Sequence, residues 1–266
     1  MKDLDFNEIL WRKAGELFRP MPWRDNTQPY YVLVSELMLQ QTQVDRVVPK
    51  FEQFMMLFPT IEQLAKVPLA DVLTAWSGLG YNRRAKFLHQ AAQKVMQDFG
   101  GVIPDTFDGL VSLPGVGPNT AGAILAYSFN QPVIFIETNV RTVYFHHFFQ
   151  DQTVVTDKEL KTLVQETIDT ANPRQWYWAL MDYGAYLKKQ GVGRIDKSSH
   201  YKKQLPIKGS VREVRGFILK ALAVHDHGLD ELRLMMPPDP RFDASVKALV
   251  REGFIQQAKG QLSLMK

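Results

Sequence analysis

Apolar residues recur at helical spacing along most of the chain before residue 190. The N-terminal "MKDLDFNEILWRKAGELF" predicts an amphipathic helix. "SELMLQQTQVDRVVPKFEQFMMLF", residues 35–58, predicts a helical apolar face, and Pro49 is expected to divide it into two helices. Residues 60–76 predict one short helix, with Thr60 as its cap, and the start of another.

The next helices end at recognisable boundary residues. Residues 82–100 predict an amphipathic helix that ends at Gly100-Gly101, because glycine adopts the left-handed conformation found after helices. Residues 156–172 predict a helix capped at Thr156 or Asp157, and residues 175–189 predict another. No strand-like alternation precedes residue 205, so a mainly α fold is expected.

The pattern changes after residue 189. Residues 190–208 lose their periodicity and gain Gly, Ser and Lys, which predicts a basic linker between domain 1–189 and domain 209–266. The last domain reads as three helices followed by two short strands around a turn at Lys259-Gly260. That order is typical of a winged helix, a small α+β module that binds either DNA or another protein.

Composition narrows the chemistry. Among 266 residues there is no cysteine, which excludes disulfides, thiolate metal sites and cysteine-held iron–sulfur clusters. The pairs His146-His147 and His225/His227 lack a convincing zinc spacing, so structural or solvated roles are expected and no metal site is predicted. The net charge of +4 permits nucleic-acid binding without establishing it. No run of about 18 apolar residues suggests a membrane span, and a cytoplasmic protein is expected.

Two stretches suggest a site. In "LPGVGPNTAGAIL", Gly115 and Gly117 allow a tight hairpin before a helix that begins near Thr120, and such a helix N-terminus can hold a phosphate. In "VIFIETNVRTV", Glu137 is the one acidic residue of an apolar segment. An isolated carboxylate there is costly unless it is paired, hydrated or used in catalysis.

Four motifs occur together in a characteristic order: "PYYVLVSELMLQQTQV", "WSGLGYNRRAKFL", "LPGVGPNTAGAIL" and "IETNVRTV". Over roughly residues 5–188 they resemble the helix-hairpin-helix DNA glycosylases, most closely the adenine DNA glycosylases of MutY type and more distantly endonuclease III. The resemblance implies two helical subdomains with the active site in a cleft, followed here by the winged-helix-like module. It also implies base flipping, because the glycosidic bond cannot be reached inside a duplex.

The resemblance assigns the catalytic residues. Glu36 matches the catalytic glutamate, and apolar neighbours are expected to raise its pKa so that it can protonate the departing base. Glu137 matches the aspartate that stabilises positive charge on the sugar, with one extra methylene. Asn119 stands where endonuclease III has its lysine nucleophile, and an amide forms no Schiff base, so hydrolysis without strand cleavage is expected.

The resemblance also assigns binding residues. Gln41 matches the residue that wedges into the DNA stack, and Tyr81 matches an aromatic that intercalates beside the opposite base. The expected base pocket comprises Arg19, Met21, Trp23, Leu39, Val44 and Asn119. The expected DNA contacts are Gln40, Gln41, Thr42, Tyr81, Asn82, Leu113, Gly115, Val116, Gly117, Thr120, Lys188, Lys189, Lys202 and Lys203.

The chain departs from the family pattern in three places. Adenine DNA glycosylases usually carry a four-cysteine iron–sulfur loop, and Lys188 stands where the first of these cysteines would be. The segment that follows Lys188 is nevertheless strongly basic. The family's nucleotide-hydrolase-like domain, which reads 8-oxoguanine, has no match, and the winged-helix-like module follows instead. Asn82 replaces the second tyrosine of "GLGYY". No cofactor is therefore expected, apart from a monovalent cation that the hairpin could hold.

The principal hypothesis is a monofunctional DNA glycosylase of base excision repair that removes adenine opposite guanine or 8-oxoguanine. It would act as a monomer on double-stranded DNA, in the cytoplasm at the nucleoid. Two alternatives stay open. One is a glycosylase of the same fold for mismatched thymine or uracil or for a damaged purine. The other is a protein that binds lesions or mismatches without catalysis.

Overall fold

The computed structural model describes residues 3–152, 154–192, 207–258 and 260–265. The chain forms two compact units that do not follow its linear order. One comprises Met1–Glu36, Asp105–Ser112 and Val116–Lys203, and the other comprises Leu37–Pro104, Leu113–Gly115 and Gln204–Lys266. Within the described ranges, no helix is both long and apolar enough to cross a membrane.

The first unit is helical. Its helices are α1 (Asp3–Leu17), α2 (Pro22–Asp25), α3 (Pro29–Leu39, which enters the second unit after Glu36), α8 (Phe107–Val111), α9 (Pro118–Phe129), α10 (Thr138–His147), α11 (Asp157–Thr167) and α12 (Pro173–Lys189).

Helix α12 is the centre of this unit, and α1, α9 and α10 pack against it. Its side chains Trp176 and Tyr177 are fully buried, as are Tyr144 on α10 and Phe6 on α1. Aromatic side chains of this size supply much of the hydrophobic stabilisation. The segment before α10 packs on this core, because the ring of Phe135 stacks on that of Tyr177 with centroids 4.1 Å apart.

The second unit combines four helices from the middle of the chain with the C-terminal module, which runs from α13 to β3 (211–264). Its elements are α4 (Val44–Leu57), α5 (Ile61–Lys66), α6 (Leu69–Trp76), α7 (Arg83–Asp98), α13 (Val211–Leu222), β1 (His227–Gly228), α14 (Leu229–Leu234), α15 (Phe242–Arg251), β2 (Ile255–Ala258) and β3 (Gln261–Leu264).

The C-terminal module has the winged-helix order of elements, and its three strands form one antiparallel sheet in the order β1-β3-β2. The sequence pattern predicted only β2 and β3. The additional strand β1 has two residues, with His227 opposite Leu262, and is too short to show alternation. Gly260 closes the β2–β3 turn with a φ of +79°.

The predicted break at Pro49 is wrong. Helix α4 continues through this proline, because the burial of Val47, Phe51 and Phe54 on one face outweighs a hydrogen bond lost on the exposed face. The break lies instead at residues 40–43, between α3 and α4, where Gln41 has a φ of +56°. Left-handed backbone ends a helix as effectively as proline and leaves no clear mark in the sequence.

The predicted helix boundaries are confirmed at three places. Thr60 accepts a hydrogen bond from the backbone N–H of Gln63 and caps α5. Thr156 and Glu159 form a reciprocal capping box at the start of α11. Gly100 and Gly101 follow α7 with φ values of +60° and +87°.

Candidate active site

Glu36 lies near the end of α3 in the first unit and keeps partial solvent access. Val32, Leu33 and Val34, which precede it in the helix, are buried. Burial is the main cause that raises the pKa of Glu36 to about 8, and the nearby charge of Glu137 adds to it. At neutral pH this carboxyl therefore carries its proton and can act as an acid.

Glu137 is the N-cap of α10, in the same unit. Its Oε1 accepts a hydrogen bond of 2.7 Å from the backbone N–H of Asn139, and the positive end of the helix favours its charge. The cap explains how a half-buried carboxylate is accommodated after an apolar segment. The structure thus places two carboxyl groups within electrostatic reach of each other, one protonated by burial and one held at a helix terminus.

The backbone that leads to Glu137 is fixed on both sides. Asn119, at the start of α9, donates from Nδ2 to the carbonyl of Ile136 at 2.9 Å. The hydroxyl of Tyr177 accepts from the N–H of Phe135 at 3.2 Å and donates to the carbonyl of Val133 at 2.9 Å. Asn119 therefore positions the segment that carries Glu137, and it offers no amine for covalent chemistry.

Helix α12 approaches the start of α10 closely at Gly184. A Cβ added to Gly184 would lie 2.6 Å from the Asn139 carbonyl oxygen, so only glycine fits. Beside it, Lys188 donates from Nζ to Asn139 Oδ1 at 2.7 Å. Desolvation lowers the pKa of Lys188. The negative charge of Glu137 opposes that shift, so the two side chains interact electrostatically.

Tyr127 is a neighbour of the carboxyl pair that the sequence analysis missed. It is buried, and its pKa is raised well above the ordinary value, first by burial and then by the charges of Glu36 and Glu137. Its ring meets that of Phe135 edge to face, with centroids 6.0 Å apart. A tyrosine in the middle of an apolar helix reads as core in the sequence, so no local signal identifies it.

The expected base-pocket residues are divided between the units. Arg19, Met21, Trp23 and Asn119 belong to the first, and Leu39 and Val44 to the second. Met21 and Trp23 are buried. Arg19 Nε donates to Asp182 Oδ1 at 2.6 Å, and the same carboxylate, 3% exposed, receives both terminal nitrogens of Arg24 at 2.7 and 3.1 Å. Arg19 thus helps to compensate a buried charge.

The residues expected to enter DNA lie in the second unit and share an unusual backbone. Gln41 has a φ of +56° and Tyr81 a φ of +49°. Among the non-glycine residues that the structure describes, only Asn130 also has a positive φ, and it caps α9. Strained conformations of this kind persist where surrounding contacts impose them, often at functional sites.

Arg84 imposes that geometry and was not identified from the sequence. It is buried, and its NH1 donates to the carbonyls of Leu37, Met38 and Gln40 at 2.6–2.9 Å. Its NH2 donates to Thr42 Oγ1 and to the Gly80 carbonyl, both at 3.0 Å. One guanidinium therefore ties the end of α3 and the turn that follows it to the loop that carries Tyr81.

The C-terminal module contributes directly to the surroundings of Tyr81. Arg212, on α13, donates from NH1 to the Tyr81 hydroxyl, and its Cζ lies 5.3 Å from the ring centroid. The Cζ of Arg84 lies 5.4 Å from the same ring. A cavity of about 420 Å³ beside these residues is lined by Gln41, Tyr81, Asn82, Arg212 and Arg215, among others.

The hairpin shows which of its groups can face a ligand. Leu113 and Val116 are buried, so only their backbone could contact a phosphate. Gly115 has a φ of +81°, and an added Cβ would lie 2.8 Å from Phe87 Cβ. Its carbonyl accepts from Gln40 Nε2 at 3.3 Å. Gly117 is exposed, as the N-cap of α9, and Thr120 lies in the first turn of that helix.

The lysines predicted to contact DNA can be followed in part. Lys188 and Lys189 lie in the last turn of α12, where the Lys188 ammonium is engaged with Asn139 and Lys189 is exposed. Lys202 and Lys203 lie outside the described residues, as does most of the predicted linker. The DNA role of all four lysines, and a cation at the hairpin, remain predictions.

Residues 34–169 match the model of the HhH-GPD superfamily of base excision DNA repair proteins. The chain belongs to this superfamily. The match begins just before Glu36 and includes the hairpin, Asn119 and Glu137. The resemblance inferred from the motifs is thereby confirmed.

Relatives of the HhH-GPD chain include named adenine DNA glycosylases. That of Buchnera aphidicola subsp. Baizongia pistaciae is 35% identical over 64% of this chain and 48% of its own length. That of Mycobacterium tuberculosis is 42% identical over 52% of this chain and 45% of its own length. The chain thus spans about half the length of these two relatives.

A solved thermostable thymine-DNA glycosylase shares the fold, with a TM-score of 0.63 and 23% identity over 73% of this chain and 94% of that one. At this level of identity the similarity establishes the helix-hairpin-helix fold alone.

Proposed function

We propose that this HhH-GPD protein is a monofunctional DNA glycosylase that hydrolyses the bond between adenine and deoxyribose, with the adenine opposite guanine or 8-oxoguanine. The observation that carries the proposal is the carboxyl pair of the first unit. Burial gives Glu36 a pKa of about 8, and Glu137 accepts the N–H of Asn139 at a helix terminus. Two carboxyls in such different environments suit an acid and an electrostatic stabiliser.

The reaction follows from these environments. Glu36 donates its proton to a ring nitrogen of the extruded base while the glycosidic bond breaks and its electron pair leaves with the base. Positive charge develops on the sugar, and the carboxylate of Glu137 stabilises it. Water then adds to the anomeric carbon, and its proton returns to the Glu36 carboxylate, which regenerates the acid.

Asn119 supports hydrolysis rather than covalent catalysis. Its amide is engaged with the Ile136 carbonyl and cannot form a Schiff base. The product is therefore an abasic site in an intact strand. Adenine is proposed as the target because two of the relatives described above are adenine DNA glycosylases.

The second unit suits the task of opening the duplex. Gln41 and Tyr81 are held in strained conformations that Arg84 stabilises, and a rigid wedge loses little entropy when it enters the stack. Arg212 suggests that the C-terminal module takes part, because it contacts Tyr81 directly. Double-stranded DNA with a mispaired or damaged base is thus the proposed partner.

A single-turnover assay on a panel of duplexes tests the proposal. Adenine should be released opposite guanine or 8-oxoguanine, and Glu36→Gln should slow release by at least about 10²-fold, the lower end for loss of a general acid. Release of thymine, uracil or a damaged purine alone would support the first alternative. Tight binding without any product would support the non-catalytic alternative and refute both enzymes.

A further inference from the structure

Three potential metal ligands cluster in the C-terminal module. They are His225, His227 in strand β1, and Glu231 in the first turn of α14. One ligand atom from each lies within 4.8 Å of those from the other two. All three belong to the second unit, and none has a part in the glycosylase chemistry proposed above.

His227 is the unusual member of the cluster. It is 2% exposed, and neither of its ring nitrogens has a hydrogen-bond partner. Its Nδ1 lies 3.0 Å from Glu231 Oε1, at ion-pair distance. A buried polar group without a partner costs about 1–3 kcal/mol, so this imidazole calls for an explanation.

The surroundings of His227 favour a shared cation over a simple ion pair. The ring centroid of His225 lies only 3.9 Å away, and two protonated imidazoles would repel each other at that distance. Two neutral imidazoles and a carboxylate, however, can all direct lone pairs at one divalent ion. Because Zn²⁺ binds nitrogen and oxygen at 2.0–2.2 Å, ligands of a tetrahedral site lie about 3.3 Å apart, close to the observed 3.0 Å.

We propose that His225, His227 and Glu231 form a Zn²⁺ site with two imidazoles, one carboxylate and water as the fourth ligand. The second oxygen of the carboxylate, Glu231 Oε2, accepts from the N–H of Gly228 at 3.3 Å, an outer contact that orients a ligating carboxylate. The ion joins β1 to α14. Since His227 pairs with Leu262 of β3 in the sheet, the ion also stabilises the position of β3 in the module.

The proposal departs from the structural or solvated role that the sequence predicted for these histidines. The spacing of two and four residues matches no familiar zinc motif. Only the three-dimensional arrangement shows that a strand and the following helix bring the side chains together, and that one of them is buried without a hydrogen-bond partner.

Zinc binding by the full chain tests this site. The protein is stripped with chelator, and Zn²⁺ is titrated against a chromophoric competitor. One ion should bind per chain, and Glu231→Gln should weaken that binding more than tenfold, since even outer-shell changes cost about 10–100-fold. Glu231 is mostly exposed, so this variant should fold. Mg²⁺ should not bind, because it prefers oxygen ligands.

The control is His146→Gln, which removes one histidine outside the cluster and should leave Zn²⁺ affinity unchanged. X-ray absorption at the zinc edge should show two imidazoles in the wild type, and Zn²⁺ should raise its melting temperature but not that of Glu231→Gln. Absence of stoichiometric Zn²⁺ binding would overturn the proposal, as would equal affinity in the wild type and Glu231→Gln.

Discussion

Replacing Glu36 with glutamine should stabilise the protein while it removes the proposed acid. In the native state burial raises the pKa of Glu36 from 4.5 to about 8. Between these values the folded chain keeps a proton that the unfolded chain releases, so the free energy of unfolding falls as pH rises. Glutamine has nearly the same size and never ionises, so the variant escapes this loss.

The magnitude follows from the two pKa values. At pH 7 the wild type has lost about 3 kcal/mol to this proton, and at pH 5 less than about 1 kcal/mol, at about 1.4 kcal/mol per pH unit. The stability of Glu36→Gln relative to the wild type should therefore increase by about 2.5 kcal/mol between pH 5 and pH 7.

Urea denaturation of both proteins at pH 5, 6, 7 and 8 measures this difference. Any fixed offset between a protonated carboxyl and an amide cancels in the comparison across pH. A difference that stays constant from pH 5 to pH 7 would refute the elevated pKa and with it the assignment of Glu36 as a proton donor at neutral pH.

Substitutions at three further positions test individual contacts. Glu137→Asp should keep the charge and the cap but withdraw the carboxylate, slowing single-turnover excision by up to about 10²-fold, and Glu137→Gln should be slower still. Gly184→Ala should lower the free energy of unfolding, measured by urea denaturation, by about 1–3 kcal/mol, because the added methyl group would lie 2.6 Å from Asn139. Arg212→Met should weaken duplex binding about two- to tenfold in fluorescence anisotropy, since it releases Tyr81.

Each of these outcomes has a control. An Asp variant of Glu137 that excises faster than the wild type would contradict a site built around glutamate. Gly15→Ala is the match for Gly184→Ala, because an added Cβ at Gly15 meets nothing within 4 Å. For Arg212, Lys158→Met removes one exposed charge elsewhere, and the effects of Arg212→Met and Tyr81→Phe should not add. Additive effects would show that Arg212 acts independently of Tyr81.

The helical fold could be predicted from the sequence because its signals are local. Apolar periodicity, the caps at Thr60 and Thr156, and the glycines after α7 each act within a few residues. The misplaced break near Pro49 shows the limit. Whether a proline ends a helix depends on how much apolar surface the continued helix buries, and that is a property of the tertiary structure.

The candidate site also contains residues that local sequence patterns identify and residues that only the tertiary structure identifies. Glu36 and Glu137 could be identified because motifs surround them. Arg84 and Tyr127 could not, since an arginine that donates to six oxygen atoms and a tyrosine beside two carboxyls look ordinary in the sequence. The motif identified Glu137 as a site residue, but the sequence did not show that it caps α10, because glutamate is an uncommon N-cap.

The most direct test of the central claim is the pH dependence of single-turnover adenine release from a duplex with adenine opposite 8-oxoguanine. If Glu36 must be protonated, the rate should be level up to about pH 8 and then fall tenfold per pH unit. No adenine release at any pH between 6 and 10, or a rate that rises through pH 8, would contradict the account.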